Sequence, residues 1–150
     1  MKLLFICTGN ICRSPTAEGI VKHICSINNL KNLKCDSAAL YDYHTGESPD
    51  IRSIEIAKKN NINIENLKAR RINKEDFNNF DIIIGMDKNH IKILNKLNFN
   101  KTKIELYLNF TKSFKNQDVP DPYYGKTEDF KKTFDLINIG AKEIVTKFGY

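Results

Sequence analysis

The stretch Lys2–Glu18 constrains this chain most, because it predicts a strand, a tight loop and a helix start in immediate succession. Leu3–Ile6 is a continuous apolar run, which is typical of a strand covered on both faces. Ser14-Pro15 indicates the helix entrance, since a proline at the first helical position loses no hydrogen bond. Between strand and helix, five residues separate Cys7 from Arg13.

The loop Cys7–Ser14 has the composition of an anion-binding cradle. The backbone N–H groups of a short loop at a helix start can converge on one centre and, with the helix dipole, bind a tetrahedral dianion. Gly9 and Asn10 tolerate the left-handed backbone angles that such a loop needs, and Arg13 offers a planar fork to two phosphate oxygens. The expected phosphate-binding residues are Thr8, Gly9, Asn10, Ile11, Cys12 and Arg13.

Cys7 would lie at the floor of this cradle. The positive field of the loop favours its thiolate form, and a thiolate beneath a bound phosphate is a nucleophile aimed at phosphorus. Ser14 could donate its hydroxyl to that thiolate. The alternative is a small buried cysteine at a strand end followed by an ordinary turn. An ATP-binding loop is excluded, because no Gly-Lys-Ser/Thr sequence follows.

Two segments carry a family resemblance. Cys7–Ser14, CTGNICRS, resembles the signature of the low-molecular-weight protein tyrosine phosphatases, and Val119–Gly125, VPDPYYG, resembles the general-acid loop of that family. The similarity extends over the chain from Met1 to near Tyr150. It implies hydrolysis of phosphotyrosine and other aryl phosphate monoesters through a cysteinyl-phosphate intermediate, and no cofactor or metal ion is expected.

Two carboxylates compete for the role of general acid. Asp118 and Asp121 both lie in a long irregular segment, residues 111–125, and long loops of this size tend to be functional. Residue chemistry alone leaves the choice open. The match to the family's acid loop selects Asp121, first as acid for the leaving phenolate and then as base for the hydrolytic water.

Four side chains are expected to contact the substrate beyond the phosphate: Tyr43, His44, Tyr123 and Tyr124. Tyrosine offers a large flat surface to an aryl group, although residues 39–47 could instead form an ordinary solvated loop. The family resemblance implies that Tyr43 lines the entrance and that the position of His44 varies with specificity.

Three further residues take their interpretation from the resemblance. Ser37 matches a serine that supports the cradle. Leu67 stands where the family usually has a histidine that bonds the cradle asparagine, so the support of Asn10 is an open question. Cys12 matches a cysteine that forms a reversible disulfide with the nucleophile in some relatives, and the alternative for Cys12 is simple packing.

The remaining chain predicts alternating helices and strands. Helices are expected at residues 14–27, 48–60, 73–77, 87–97 and 127–148, and strands at 33–38, 81–86 and 103–108. With the first strand, this order predicts an α/β fold. We expect a four-stranded parallel sheet flanked by helices on both faces, with the phosphate-binding loop after strand 1. Residues 1–150 suit a single domain.

Composition narrows the partners and the location. The net charge of +6 comes from lysines and arginines spread along the chain, which favours steering of anionic substrates over nucleic-acid binding. No apolar run has the length of a membrane span, and the N-terminus does not resemble a signal peptide. The four cysteines suit a reducing compartment. We therefore expect a cytoplasmic monomer or weak dimer.

Three other functions compete with a tyrosine phosphatase. A thiol-dependent arsenate reductase shares the cradle, but it needs further cysteines late in the chain, and none follows Cys35. A protein-arginine phosphatase would have threonine in place of Ile11 and would lack the double tyrosine. A non-catalytic phosphate-binding module would be expected to lack the nucleophile or the acid.

Overall fold

A single four-stranded sheet organises the molecule, and the computed structural model describes residues 1–150 in full. Its strands are β1 (Lys2–Cys7), β2 (Lys34–Ala39), β3 (Ile82–Gly85) and β4 (Lys103–Leu106). All neighbouring strands are parallel, in the order β2-β1-β3-β4. Central β1 is apolar from Leu3 to Cys7 because it is covered on both faces there, and Leu3–Ile6 is fully buried. The sequence prediction of a four-stranded parallel sheet is confirmed.

Helices cover both faces of the sheet. They are α1 (Arg13–Ile27), α2 (Ile51–Lys59), α3 (Asp76–Asn79), α4 (Lys88–Leu97) and α5 (Thr127–Phe148), with a 3₁₀ turn at Tyr107–Phe110. The larger core, of 27 buried residues, joins one sheet face to α1, α2 and α5. A smaller core of 8 buried residues joins the other face to α3 and α4. None of the helices is both long enough and apolar enough to cross a membrane.

Some boundaries differ from the sequence prediction. Helix α2 begins at Ile51, after the expected Ser48-Pro49, because the Asp50 side chain accepts the Arg52 backbone N–H at 2.9 Å and caps the helix there. The fourth strand ends at Leu106, two residues earlier than predicted, because the chain tightens into the 3₁₀ turn.

The buried face of α4 also differs from the one that the sequence predicts, in which Ile91, Leu94 and Leu97 point inward. Leu94 is fully buried as expected, but Leu97 is 49% exposed at the end of the helix, so its predicted inward position is wrong. His90 points inward and is only 1% exposed. The first turn of α4 therefore directs a polar side chain toward the interior.

The topology creates a crevice at the carboxyl ends of β1 and β3. The chain leaves β1 for α1 on one face and leaves β3 for α4 on the other. In open parallel sheets such a switch point is where ligands bind. The loop Cys7–Ser14 and the residue Asp87 both lie at this point.

Candidate active site

Cys7 is the last residue of β1 and is 3% exposed. Its Sγ lies 3.0 Å from Ser14 Oγ. That serine oxygen accepts a hydrogen bond from Asn10 Nδ2 at 2.7 Å, so the serine proton is free to point at the sulfur. Ser14 can therefore donate to a Cys7 thiolate, as the sequence suggested.

Asn10 fixes the shape of the loop. Its backbone is left-handed, with φ 58°, as expected for an asparagine in a tight cradle. Its Nδ2 also donates to Ser37 Oγ at 2.9 Å, and Ser37 in turn donates to buried Glu18 at 2.5 Å. The side chain thus ties the loop to α1 and β2.

Leu67 does not leave Asn10 unsupported. It packs against the larger core, and Asn10 Oδ1 instead accepts the backbone N–H of Arg70 at 3.1 Å. The Arg70 guanidinium bonds Asp36 and buried Asp76, each at 3.0 Å, which anchors the segment that carries this N–H. The Arg70 backbone N–H thus supports Asn10, for which the family resemblance implied a histidine at position 67.

Arg13 is buried beneath the crevice with its guanidinium held on several sides. Nη1 donates to Asp87 at 2.8 Å and to the Val119 carbonyl at 3.0 Å. Nη2 lies 3.4 Å from Thr8 Oγ1 and 3.5 Å from Asp121 Oδ2. Burial alone would lower the pKa of Arg13, but negative charge on Cys7, Asp87 and Asp121 outweighs burial and raises that pKa. The guanidinium therefore remains charged.

Asp87 and His90 form a unit at the start of α4. The Asp87 side chain accepts the His90 backbone N–H at 2.9 Å, and His90 Nδ1 accepts the Asp87 backbone N–H at 3.2 Å. This reciprocal capping box fixes both side chains. Burial, and then the charge of Arg13, lowers the pKa of His90 to about 4, so the ring is neutral at neutral pH.

The two candidate acids have different environments. Asp121 lines the cavity above the loop, with its side chain 47% exposed and its Oδ2 3.5 Å from Arg13 Nη2. Asp118 instead accepts the Lys88 backbone N–H at 2.8 Å, at the N-terminus of α4. Asp118 is therefore engaged in capping a helix, whereas Asp121 faces the cavity.

The segment that carries Asp121 is anchored on both sides. Val119 is fully buried and its N–H donates to the Met86 carbonyl at 2.9 Å. Beyond Asp121, Arg52 donates to the Tyr123 carbonyl at 3.0 Å, pairs with Asp50 at 2.9 Å and lies 4.2 Å from the Phe130 ring centroid. This anchoring limits the positions that the carboxylate can take.

The cavity has a volume of about 140 Å³, with the loop Cys7–Arg13 as its floor. Its lining includes the four residues that the sequence predicts as substrate contacts, Tyr43, His44, Tyr123 and Tyr124. Tyr43 is 68% exposed and Tyr124 is 95% exposed. A Cβ at Gly9 would lie 2.9 Å from His44 Cδ2, so a larger residue there would displace the His44 ring. The walls are therefore aromatic and the floor is polar.

Cys12 lines the same cavity as Cys7 and is 6% exposed. Burial, with added repulsion from Cys7 and Asp50, raises the pKa of the Cys12 thiol to about 12. All four cysteines are free thiols. No group of three or more His, Cys, Asp or Glu side chains is placed to hold a metal ion.

Sequence reasoning missed several residues that support the site. Asp87 was predicted only as the first residue of the helix at 87–97, and its position after β3, beside β1, could have indicated the crevice. His90 occupies the third helical position, where a partner for the capping aspartate is expected. No local pattern marked Glu18, Arg52 or Arg70.

Comparison with known proteins identifies the family. A family model for low molecular weight phosphotyrosine protein phosphatase matches residues 2–149. The chain is 37% identical to the low molecular weight phosphotyrosine protein phosphatase of Saccharomyces cerevisiae over 98% of this chain and 94% of that protein.

Solved structures agree with this assignment. The protein tyrosine phosphatase of Entamoeba histolytica, crystallised with Hepes in its active site, superposes with a TM-score of 0.91 at 35% identity, covering 98% of this chain and 96% of that one. Drosophila arginine phosphatase also superposes with a TM-score of 0.91, at 29% identity, covering 98% and 97% of the two chains. The chain belongs to the low molecular weight phosphotyrosine protein phosphatase family.

Proposed function

We propose that this protein hydrolyses phosphotyrosine and other aryl phosphate monoesters through a covalent phosphoryl-cysteine. The observation that carries the proposal is the convergence of Cys7, Arg13 and Asp121 on one cavity, with Asp121 3.5 Å from Arg13 above a floor that holds the cysteine. A nucleophile, a fixed cation and a carboxylate are the three groups that phosphoryl transfer from an aryl ester requires.

In the first step, the Cys7 sulfur forms a bond to phosphorus while the bond from phosphorus to the phenolic oxygen breaks. Arg13 and the backbone N–H groups of the loop stabilise charge on the phosphoryl oxygens. Asp121, in its protonated form, transfers a proton to the departing phenolate. Ser14, through its hydrogen bond to Sγ, stabilises the Cys7 thiolate before this attack and again when the sulfur leaves in the second step.

In the second step, the Asp121 carboxylate removes a proton from water. The water oxygen attacks phosphorus and the sulfur leaves as a thiolate, which restores the enzyme and releases inorganic phosphate. Each proton that Asp121 gives in the first step returns to it in the second. No external cofactor is needed to balance the reaction.

The aromatic walls support aryl esters over other phosphate monoesters. Tyr43 stacks on Tyr41 with ring centroids 5.2 Å apart, and Tyr123 packs edge-on against Tyr124 at 4.8 Å. Such rings bind a flat aryl group well. Arginine phosphate is a second candidate, because Drosophila arginine phosphatase has the same fold.

The proposal is tested by measuring kcat/KM for p-nitrophenyl phosphate and for three peptides carrying phosphotyrosine, phosphoserine or phosphoarginine. Aryl substrates should exceed the other two by at least about tenfold, which corresponds to one favourable aromatic contact. Faster turnover of the phosphoarginine peptide would instead identify the protein as a protein-arginine phosphatase. Absence of turnover on all four would leave only a phosphate-binding module.

We also propose that Cys12 protects Cys7 during oxidation. Peroxide would convert the Cys7 thiolate to a sulfenic acid, and the Cys12 thiol would displace water from it to form a disulfide. After peroxide and then dithiothreitol, wild type should regain activity and Cys12→Ser should recover poorly, while Cys25→Ser serves as the matched control. Equal recovery of wild type and Cys12→Ser would leave Cys12 with a packing role only.

The remaining proposals concern the partners and the location of the protein. We propose that a single domain over residues 1–150 acts on phosphotyrosine-containing proteins or small aryl phosphates as a cytoplasmic monomer or weak dimer, without nucleic acid. The free thiols suit a reducing compartment, and the net charge of +6 suits anionic substrates.

A further inference from the structure

The Thr8 hydroxyl lies at the floor of the cavity, between the side chains of His90 and Arg13. His90 Nε2 lies 3.0 Å from Thr8 Oγ1, and Arg13 Nη2 lies 3.4 Å from the same oxygen. Thr8 is part of the cavity lining, and His90 is buried behind it.

The direction of the bond from His90 follows from its other nitrogen. Nδ1 accepts the Asp87 backbone N–H, which is always a donor, so Nδ1 carries no proton. A neutral imidazole must then carry its proton on Nε2. His90 Nε2 therefore donates to Thr8 Oγ1 at 3.0 Å, which is nearer than Asp87 Oδ2 at 3.4 Å.

With donors from His90 and Arg13 on its oxygen, the Thr8 hydroxyl proton has to point elsewhere. A hydroxyl has two acceptor lone pairs and one proton. Apart from its contacts with His90 and Arg13, Thr8 Oγ1 makes no side-chain hydrogen bond in the structure. The proton is therefore available to a ligand in the cavity.

We infer that the Thr8 hydroxyl donates a hydrogen bond to a non-bridging phosphoryl oxygen during transfer, and that His90 is the residue that positions it. This inference rests on the proposed function and adds a side-chain donor to the backbone N–H groups of the loop. An uncharged donor held in place before substrate arrives needs no reorganisation as charge develops on the phosphoryl group.

The first experiment compares Thr8→Val with Thr8→Ser. Valine has the shape of threonine but no hydroxyl, so kcat/KM for p-nitrophenyl phosphate should fall by about 10- to 100-fold, the usual effect of losing one hydrogen bond to a charged group. Serine should retain most activity, and the affinity for vanadate should follow the same order. Thr146→Val, on the exposed side of α5, is the matched control and should equal wild type.

The identity of the acceptor is tested with leaving groups. A bond to a non-bridging oxygen predicts the same fractional loss in Thr8→Val for p-nitrophenyl phosphate and for phenyl phosphate. A loss that grows for phenyl phosphate would mean that the hydroxyl serves Asp121 instead, and would overturn the inference.

The positioning role of His90 is tested by a double-mutant cycle. His90→Leu should reproduce the loss of Thr8→Val, and the double variant should lose little more, because both changes remove one interaction. Fully additive losses, or a Thr8→Val enzyme within about twofold of wild type, would contradict the inference. If Thr8→Val does not fold, Thr8→Ala provides the same comparison.

These outcomes are separate from the proposed function. Wild-type enzyme without turnover would contradict that function, while the order of vanadate affinities among wild type, Thr8→Ser and Thr8→Val would still decide whether the hydroxyl binds the anion.

Discussion

The floor and the rim of the cavity differ in how firmly the protein holds them. On the floor, Asn10 and Arg13 are each 2% exposed and make hydrogen bonds to three or more protein groups. On the rim, Tyr43 and Tyr124 are 68% and 95% exposed. The group that is transferred thus meets a fixed polar site, whereas the rest of the substrate meets exposed aromatic surface. Chemistry and specificity should therefore respond separately to mutation.

The largest expected effect comes from Cys7, the proposed nucleophile on the floor. Cys7→Ser should lose turnover of aryl phosphates by about 10⁴-fold or more, since a serine hydroxyl is not ionised at neutral pH. Vanadate should still bind, because the loop N–H groups and Arg13 remain. Cys25→Ser controls for loss of a thiol far from the cavity, and substantial activity in Cys7→Ser would refute the covalent mechanism.

The next largest effect concerns Asp121, which lines the cavity between the floor and the rim. Asp121→Ala should slow turnover by about 10²- to 10⁴-fold, with larger losses for phosphotyrosine than for p-nitrophenyl phosphate, because a poor leaving group needs the proton more. Asp118→Ala should have a smaller effect, since Asp118 caps α4. If the dependence on leaving group appeared in Asp118→Ala and not in Asp121→Ala, the assignment would be wrong.

The burial of His90 behind the floor should also make the stability of the protein depend on pH. His90 is neutral in the fold, with its pKa lowered to about 4 by burial and by Arg13, against the opposing influence of Asp87, Asp118 and Asp121. Below its ordinary pKa of about 6.5, the unfolded chain binds a proton that the fold does not, so stability falls as pH decreases toward 4.

When the pH is lowered from 7 to 5, the proton uptake of His90 in the unfolded chain should reduce the unfolding free energy by about 2 kcal/mol. Urea unfolding at the two pH values should show this loss in wild type and a smaller loss in His90→Gln, which does not titrate. Two curves with the same pH dependence would contradict a buried neutral His90.

The smallest effect belongs to the rim. Tyr123→Ala should raise KM for phosphotyrosine peptides by about 3- to 15-fold, which is the usual contribution of one aromatic contact, and should leave vanadate affinity unchanged. Tyr123→Phe is the conservative control, because it keeps the ring. A parallel loss of vanadate affinity would show that the rim also shapes the floor.

The parts of the structure that the sequence could predict are those that depend on residues close together in the chain. Cys7, Asn10, Arg13 and Ser14 lie within one short stretch whose spacing carries the geometry, and the structure brings them together as expected. The alternating apolar segments were sufficient for the parallel sheet, which is confirmed. Both predictions depend on local patterns.

The supporting residues could not be predicted, because their partners are distant in the chain. His90 bonds Thr8 across 82 positions, and Arg52 bonds the carbonyl of Tyr123 across 71. Such contacts depend on how α4 packs against the sheet and how the segment that carries Asp121 packs against α2, which no short pattern specifies. The roles of Asp121 and the rim tyrosines stay predictions until they are measured.

The most direct test of the account is to trap the phosphoryl group on the enzyme. Asp121→Ala mixed with p-nitrophenyl phosphate should accumulate a phosphoryl-cysteine, because the activated phenolate leaves without an acid while hydrolysis lacks its base. Rapid quenching and peptide mass spectrometry should locate one phosphoryl group on Cys7, and none in the Cys7→Ser variant. Turnover without a phosphoryl group on Cys7, or with one on another residue, would contradict the mechanism.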